Sequence, residues 1–200
     1  ATATWQEIRT LCEEALEYHT ASVCIPPSYV ARAHAEFPGL NICTVIGFPL
    51  GYNTTACKVF ETQQAVREGA SEVDMVVNLG DVKNGDFDAV EKEIEALKKA
   101  AGDNVLKVIV ETCYLTQEEK IRLCECVTKA GADYIKTSTG FGTAGATLED
   151  IALFRAHIGP QVKVKAAGGI RTREDLEAFC NAGCDRLGCS AAVKVLCEKG

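Results

Sequence analysis

Short, almost wholly apolar runs alternate along this chain with stretches of helical periodicity, and that alternation limits the possible fold more than any other feature. The apolar runs cover 21–25, 41–48, 72–78, 105–112, 132–138, 162–167 and 184–188. Each is near-continuously apolar, as a parallel strand covered on both sides should be. Helical periodicity covers 4–18, 28–36, 54–68, 86–101, 116–130, 148–157 and 172–181, with a further turn or two after Ser190. Capping patterns open several of these stretches, as in Thr116-Gln-Glu-Glu119 and Thr172-Arg-Glu-Asp175. At Gly69-Ala70, Gly131-Ala132 and Gly183-Cys184 a helix ends on glycine and a strand starts at once, a weak internal repeat.

Strands that alternate with helices predict a parallel sheet, and right-handed crossovers leave two closures, the eight-stranded barrel and the open doubly wound sheet. No Gly-x-Gly-x-x-Gly opens a first β/α unit, which weighs against the doubly wound sheet. The fold class expected is therefore a (β/α)8 TIM barrel, in one domain over 1–200. Seven strands with a helix leading them fall one strand short of that barrel. The sequence is accordingly expected to start just after the first strand and to be N-terminally incomplete. With 200 residues, 47% hydrophobic and 24% charged, the chain can bury a sizeable core.

A net charge of -7 with no concentrated basic patch argues against nucleic acid as a partner. No apolar run approaches the ~20 residues of a membrane span, and no leader for export is expected. The 11 cysteines are odd in number and lie mostly in apolar segments, so they are expected to be reduced core residues of a cytoplasmic protein. Cys124/Cys126 and Cys180/Cys184 lack zinc-site spacing and no histidine lies near them in sequence, so no metal is expected.

Three charged residues within these apolar runs, Lys136, Lys165 and Asp74, are the candidates for chemistry. In Asp133-Tyr-Ile-Lys-Thr-Ser138, Tyr134, Lys136 and Ser138 share one face of the strand and Ile135 and Thr137 the other. With Ile135 against the helices, Lys136 enters the barrel near the C-terminal end of its strand, where active sites of this fold are built. In Val162-Lys-Val-Lys-Ala-Ala167, Lys163 and Lys165 share a face, with Lys165 nearer the mouth and one strand along from Lys136. Two ammonium groups in a poorly solvated site repel, and loss of one proton relieves them. Lowering a lysine from ~10.4 to near 7 takes about 4 to 5 kcal/mol of differential interaction, after which the amine can attack a carbonyl. Asp74, in Glu72-Val-Asp-Met-Val-Val-Asn78, shares a face with Val76 and Asn78 and needs a partner. Lys165 is the expected one, the pair then passing protons.

Barrels of this class hold phosphate with the loops after the last two strands. Ala166-Ala-Gly-Gly-Ile-Arg171 leaves the penultimate strand, where Gly168 and Gly169 let backbone N–H groups approach an anion. Gly188-Cys-Ser190 leaves the last strand and opens a helix, whose N-terminus favours negative charge.

Phe48-Pro-Leu-Gly-Tyr-Asn-Thr-Thr55, Glu72-Val-Asp-Met-Val76, Tyr134-Ile-Lys-Thr-Ser-Thr-Gly-Phe141, Lys165-Ala-Ala-Gly-Gly-Ile-Arg171 and Gly188-Cys-Ser190 together resemble the deoxyribose-phosphate aldolase family, from Thr4 to the last helix. That resemblance implies that Lys136 forms the Schiff base and that Lys165 and Asp74 transfer protons. It further implies that Thr139, Gly140, Gly168, Gly169, Gly188 and Ser190 bind the phosphosugar. The implied reaction is reversible cleavage of 2-deoxyribose 5-phosphate to acetaldehyde and glyceraldehyde 3-phosphate, without cofactor, in a homodimer.

Two departures from the family stand out. Cys24-Ile-Pro-Pro27 replaces a Cys-Val-Asn-Pro pattern, with Cys24 read as a packing residue, and Tyr52 stands where a small residue is common. Two other functions remain compatible with the fold. One is an isomerase or epimerase that uses Asp74 as base without a covalent intermediate, and the other is a barrel that binds sugar phosphate without turnover.

Overall fold

The computed structural model describes residues 2–197. Among them seven strands form one parallel sheet in chain order: β1 (Val23–Cys24), β2 (Ile42–Ile46), β3 (Glu72–Val76), β4 (Val105–Ile109), β5 (Tyr134–Lys136), β6 (Lys163–Ala167) and β7 (Arg186–Gly188). The helices that alternate with them are α1 (Trp5–Glu17), α2 (Val30–Glu36), α3 (Thr55–Arg67), α4 (Leu79–Lys83), α5 (Phe87–Ala101), α6 (Gln117–Lys129), α7 (Leu148–His157), α8 (Arg173–Asn181) and α9 (Ala192–Cys197). Strictly sequential order removes the doubly wound alternative, because that sheet reverses its strand order at a switch point.

The sheet curls until its two edges communicate. Arg186 Nη1 on β7 donates to Ser22 Oγ, just before β1, at 3.0 Å and to Glu72 Oε2 on β3 at 3.2 Å. Strand parity divides the side chains between two environments. Val73, Met75, Leu106, Val108, Ile135 and Val164 join the hydrophobic cluster between sheet and helices. Burial of each such side chain stabilises the fold by roughly 1.5–3 kcal/mol. The alternate positions, Glu72, Asp74, Lys107, Tyr134, Lys136, Lys165 and Arg186, turn to the inside of the curl.

Local signals are met where short-range chemistry decides them. Thr116 with Glu119 and Thr172 with Asp175 form reciprocal capping boxes. Gly69, Gly131 and Gly183 all take positive φ at helix ends.

Several strands are shorter than expected, β5 spanning only Tyr134–Lys136 of 132–138, and three boundaries differ for a local reason. The strand expected over 72–78 ends at Val76, and Asn78 caps α4, a helix the sequence reading lacked, by accepting from the Gly80 N–H at 3.0 Å. A short asparagine side chain competes for local backbone donors and favours this role. The strand expected over 105–112 stops at Ile109, and Glu111 adopts a left-handed φ of 56°. The helix expected from Ser28 begins as a 3-10 turn, Pro27–Tyr29, since proline at the entry fixes a tight first turn.

Outside the barrel, Lys58 on α3 is wholly buried and donates to Glu93 Oε2 on α5 at 2.8 Å and to the Val76 carbonyl at 2.9 Å. This pair ties two helices to the end of β3. Urea unfolding of Lys58→Ala is expected to show a loss of about 3–5 kcal/mol, because Glu93 is left buried and uncompensated. The double variant Lys58→Met/Glu93→Leu should lose less than that single variant.

Candidate active site

Asp74, in the middle of β3, is fully buried and receives four donors. Lys136 Nζ and Lys165 Nζ each lie 2.7 Å from Oδ2, while Lys107 Nζ at 2.9 Å and Cys43 Sγ at 3.1 Å take Oδ1. The strands supply them in order. Lys107 stands opposite Asp74 on β4, and Lys136, the last residue of β5, stands opposite Lys165 on β6. Beneath this layer Glu72 Oε2 accepts from Lys107 at 2.6 Å and from Arg186 at 3.2 Å.

The expected pairing of Lys165 with Asp74 is present. The two lysine amines share one buried cluster, and Asp74 bridges them. Burial acts against its ionisation, but Lys136, Lys165 and Lys107 together outweigh that and hold the carboxyl well below the usual range. Burial likewise opposes the charge of Lys165, yet Asp74 prevails and pushes the amine up. For Lys107 the same contest between burial and the anions Asp74 and Glu72 also ends upward. Counted as charges, Lys107, Lys136, Lys165 and Arg186 face Glu72 and Asp74, four positive against two negative.

Cys24, expected to pack, is instead exposed. A hydrogen bond from Cys43 lowers its thiol to about 7, with smaller help from Lys165 and Lys136. Of the eleven cysteines, all free, four are buried, so the expected core placement holds for only part of the set. Cys24, Cys43 and Asp74 offer metal-ligand atoms within 4.8 Å of one another. Both Asp74 oxygens already accept from ammonium groups, a positive environment that opposes a further cation.

A sequence model of the DeoC/LacD family aldolases matches residues 1–184 of the chain. The chain belongs to the DeoC/LacD aldolase family. Deoxyribose-phosphate aldolase of Clostridium botulinum (strain Eklund 17B / Type B) is 62% identical over 195 residues, 97% of this chain and 88% of that relative. Its counterpart in Clostridioides difficile (strain 630) is 60% identical over 98% of this chain and 90% of its own length. The tetrameric structure of deoxyribose phosphate aldolase from Aeropyrum pernix superposes with a TM-score of 0.89 at 34% identity, covering 98% of this chain and 84% of that one. The curled sheet of seven parallel strands among the described residues is thus of the TIM-barrel type of these aldolases, consistent with the expected lack of the first strand.

In this aldolase-family chain the glycine-rich loops converge at one end of the sheet. Ala167 stands opposite Gly188, so Gly168–Gly169 and Cys189–Ser190 leave neighbouring strands side by side. Gly168 and Gly169 have φ of 82° and 80°. A Cβ on Gly145 would lie 2.2 Å from the Gly168 carbonyl oxygen, which only glycine permits. Gly140, with φ of 86°, approaches Gly168, while Thr139 is held by Glu111, to which it donates its N–H at 3.1 Å and its hydroxyl. Ser190 is exposed before the short α9, and Tyr52 is 69% exposed. Sequence reading missed Lys107, Glu72, Arg186, Cys43 and Glu111. The first three are legible by parity as inward charges, but their partners are set by register.

The shifted groups fix a pH window for stability. The depressed carboxyl of Asp74 contributes above its ordinary 3.8 and loses that contribution as pH falls toward the folded value. The raised amine of Lys165 contributes below its ordinary 10.5 and loses that contribution as pH rises through the folded value. Urea unfolding should therefore give a plateau from about pH 5 to 7, a rise from about pH 7 to 9 as the lowered Cys24 thiol ionises in the folded state, and a decline below about pH 5 and above about pH 10. Asp74→Asn should lie below the wild type on that plateau by about 3–5 kcal/mol, since three buried ammonium groups lose their anion.

Proposed function

We propose that this chain is a deoxyribose-phosphate aldolase that reversibly cleaves 2-deoxy-D-ribose 5-phosphate to acetaldehyde and D-glyceraldehyde 3-phosphate through a Schiff base on Lys136. The observation that carries the reading is the shared oxygen: Lys136 and Lys165 both reach Asp74 Oδ2, each at 2.7 Å. A nucleophilic amine needs an adjacent group that takes its proton and returns it, and Asp74 with Lys165 supplies that route. The excess of positive charge in the cluster favours loss of a proton from one lysine.

Neutral Lys136 Nζ attacks the C1 aldehyde, and Lys165 gives up the proton with which the carbinolamine hydroxyl leaves as water, so that a protonated imine and a neutral Lys165 amine remain. Lysine 165, Asp74 and a water accept the proton of the C3 hydroxyl as the C2–C3 bond breaks, its electron pair flowing into the iminium. Glyceraldehyde 3-phosphate departs, the enamine takes a proton at C2, and hydrolysis releases acetaldehyde and the free amine. The phosphate is assigned to the backbone of Gly168, Gly169, Gly188 and Ser190, with Thr139 and Gly140 on the adjacent loop. The free state of every cysteine supports a reducing, cytoplasmic setting, and no helix among the described residues is long and apolar enough to cross a membrane. The homodimer implied by the family resemblance belongs to this proposal, and sedimentation distinguishes it from the tetramer of the Aeropyrum pernix relative.

Borohydride reduction in the presence of acetaldehyde should leave a secondary amine on the peptide containing Lys136, and Lys136→Ala should abolish it while retaining the wild-type circular dichroism. Label found elsewhere, or turnover without any label, overturns the assignment. Lys165→Leu should lower kcat by about 100-fold or more, the range expected when a positioned proton-transfer group is lost.

A further inference from the structure

Lys107 takes no part in the route just described, yet it is among the largest wholly buried side chains of the protein. A charge in that position has no access to substrate or solvent, so its effect must pass through what it touches. It touches Asp74 Oδ1 at 2.9 Å, Glu72 Oε2 at 2.6 Å and Cys43 Sγ at 3.5 Å. With Cys43 on the same oxygen at 3.1 Å, Oδ1 is fully engaged and Oδ2 is presented to Lys136 and Lys165. Glu72 in turn takes Arg186 through both guanidinium nitrogens, at 3.2 and 3.3 Å, and Ser22 at 3.1 Å. The ring of Tyr134 lies near both cations, its centroid 5.9 Å from Lys107 Nζ and 5.8 Å from the Arg186 guanidinium carbon.

We propose that Lys107, backed by Glu72 and Arg186, is a positioning element of alternating charge beneath the two reactive lysines, one that holds Asp74 in a single orientation and sets the electrostatic field in which Lys136 forms its imine. This rests on the assignment of Lys136 as the Schiff-base lysine. The groups that face Asp74 are Cys43 from β2 with Cys24 beside it on β1, Lys107 from β4, Lys136 from β5 and Lys165 from β6. Glu72 on its own strand and Arg186 on β7 act one contact further away. The raised amine of Lys107 and the lowered carboxyl of Glu72, both set against burial, agree with a chain that stays fully ionised.

The sign of each charge makes the proposal testable. Removing the cation at 107 lowers the positive field at Lys136 and makes its ammonium form easier to keep, so imine formation shifts to higher pH. Removing the anion at 72 raises that field and shifts imine formation to lower pH. A merely structural role would weaken both variants without opposite shifts.

The experiment is the rate of borohydride trapping of acetaldehyde on the full chain, followed between about pH 5 and 9. Lys107→Met is expected to raise the pH of half-maximal trapping by about one unit and Glu72→Gln to lower it by a similar amount, the scale of one neighbouring charge. Steady-state rates should show kcat falling about 10-fold or more in Lys107→Met with KM within about threefold, as when an interaction acts on the chemical step alone. Lys107→Arg, which keeps the charge, should restore the midpoint toward wild type. If Lys107→Met does not fold, Arg186→Met replaces it with the same direction and a smaller shift. Wild-type protein that traps nothing at Lys136 defeats the functional reading. Normal trapping in the wild type with unchanged midpoints, or midpoints moving the same way in the 72 and 107 variants, defeats this proposal alone.

Discussion

A single buried carboxylate organises the interior of this protein. Asp74 has no exposure to water and would be intolerable in an apolar strand without compensation. Its two oxygens divide the surrounding donors into two pairs, Lys107 and Cys43 on one and Lys136 and Lys165 on the other. Desolvation makes each of these contacts stronger than it would be at a surface, and it makes the absence of any one correspondingly costly.

The parallel sheet is what lets distant segments meet on that carboxylate. Asp74, Lys107, Lys136 and Lys165 come from β3 to β6, four consecutive strands, and the curl points their side chains at a common centre. The same parity that sends these charges inward sends Val73, Leu106, Ile135 and Val164 outward to the helices. Hydrophobic stabilisation and chemistry therefore use opposite faces of the same strands. Where β6 and β7 end together, Gly169 faces open space, Gly168 packs against Gly145 and Gly188 lies close to the Lys165 side chain. The lysines thus stand within the barrel and the glycine loops at its rim, an order suited to a substrate with a carbonyl at one end and an anion at the other.

Much of this was readable from residue order, and the unread part has a common cause. Alternation in 134–138 and 162–167 pointed Lys136 and Lys165 inward, and an isolated aspartate in an apolar strand called for a cation. Lys107 obeys the same alternation in 105–109, but a lone inward lysine without its register against β3 gives no sign that it meets Asp74 and Glu72. Asn78 was misread because strand periodicity continues through Val77 while the competing local capping bond ends the strand at Val76. Cys24 was misread because its exposure depends on the curl of the sheet around it, which no local pattern encodes.

The sequence by itself determined the succession of strands and helices, the facing of each strand residue, the helix caps and the glycine turns, because these depend on interactions within a few residues. Only the tertiary structure decided which charges share an oxygen, that three lysines rather than two surround Asp74, and that Arg186 reaches back to Glu72 and Ser22 across the curl. Such contacts join positions up to 164 residues apart. They are fixed by strand register and sheet curvature, properties of the assembled sheet that no single segment carries.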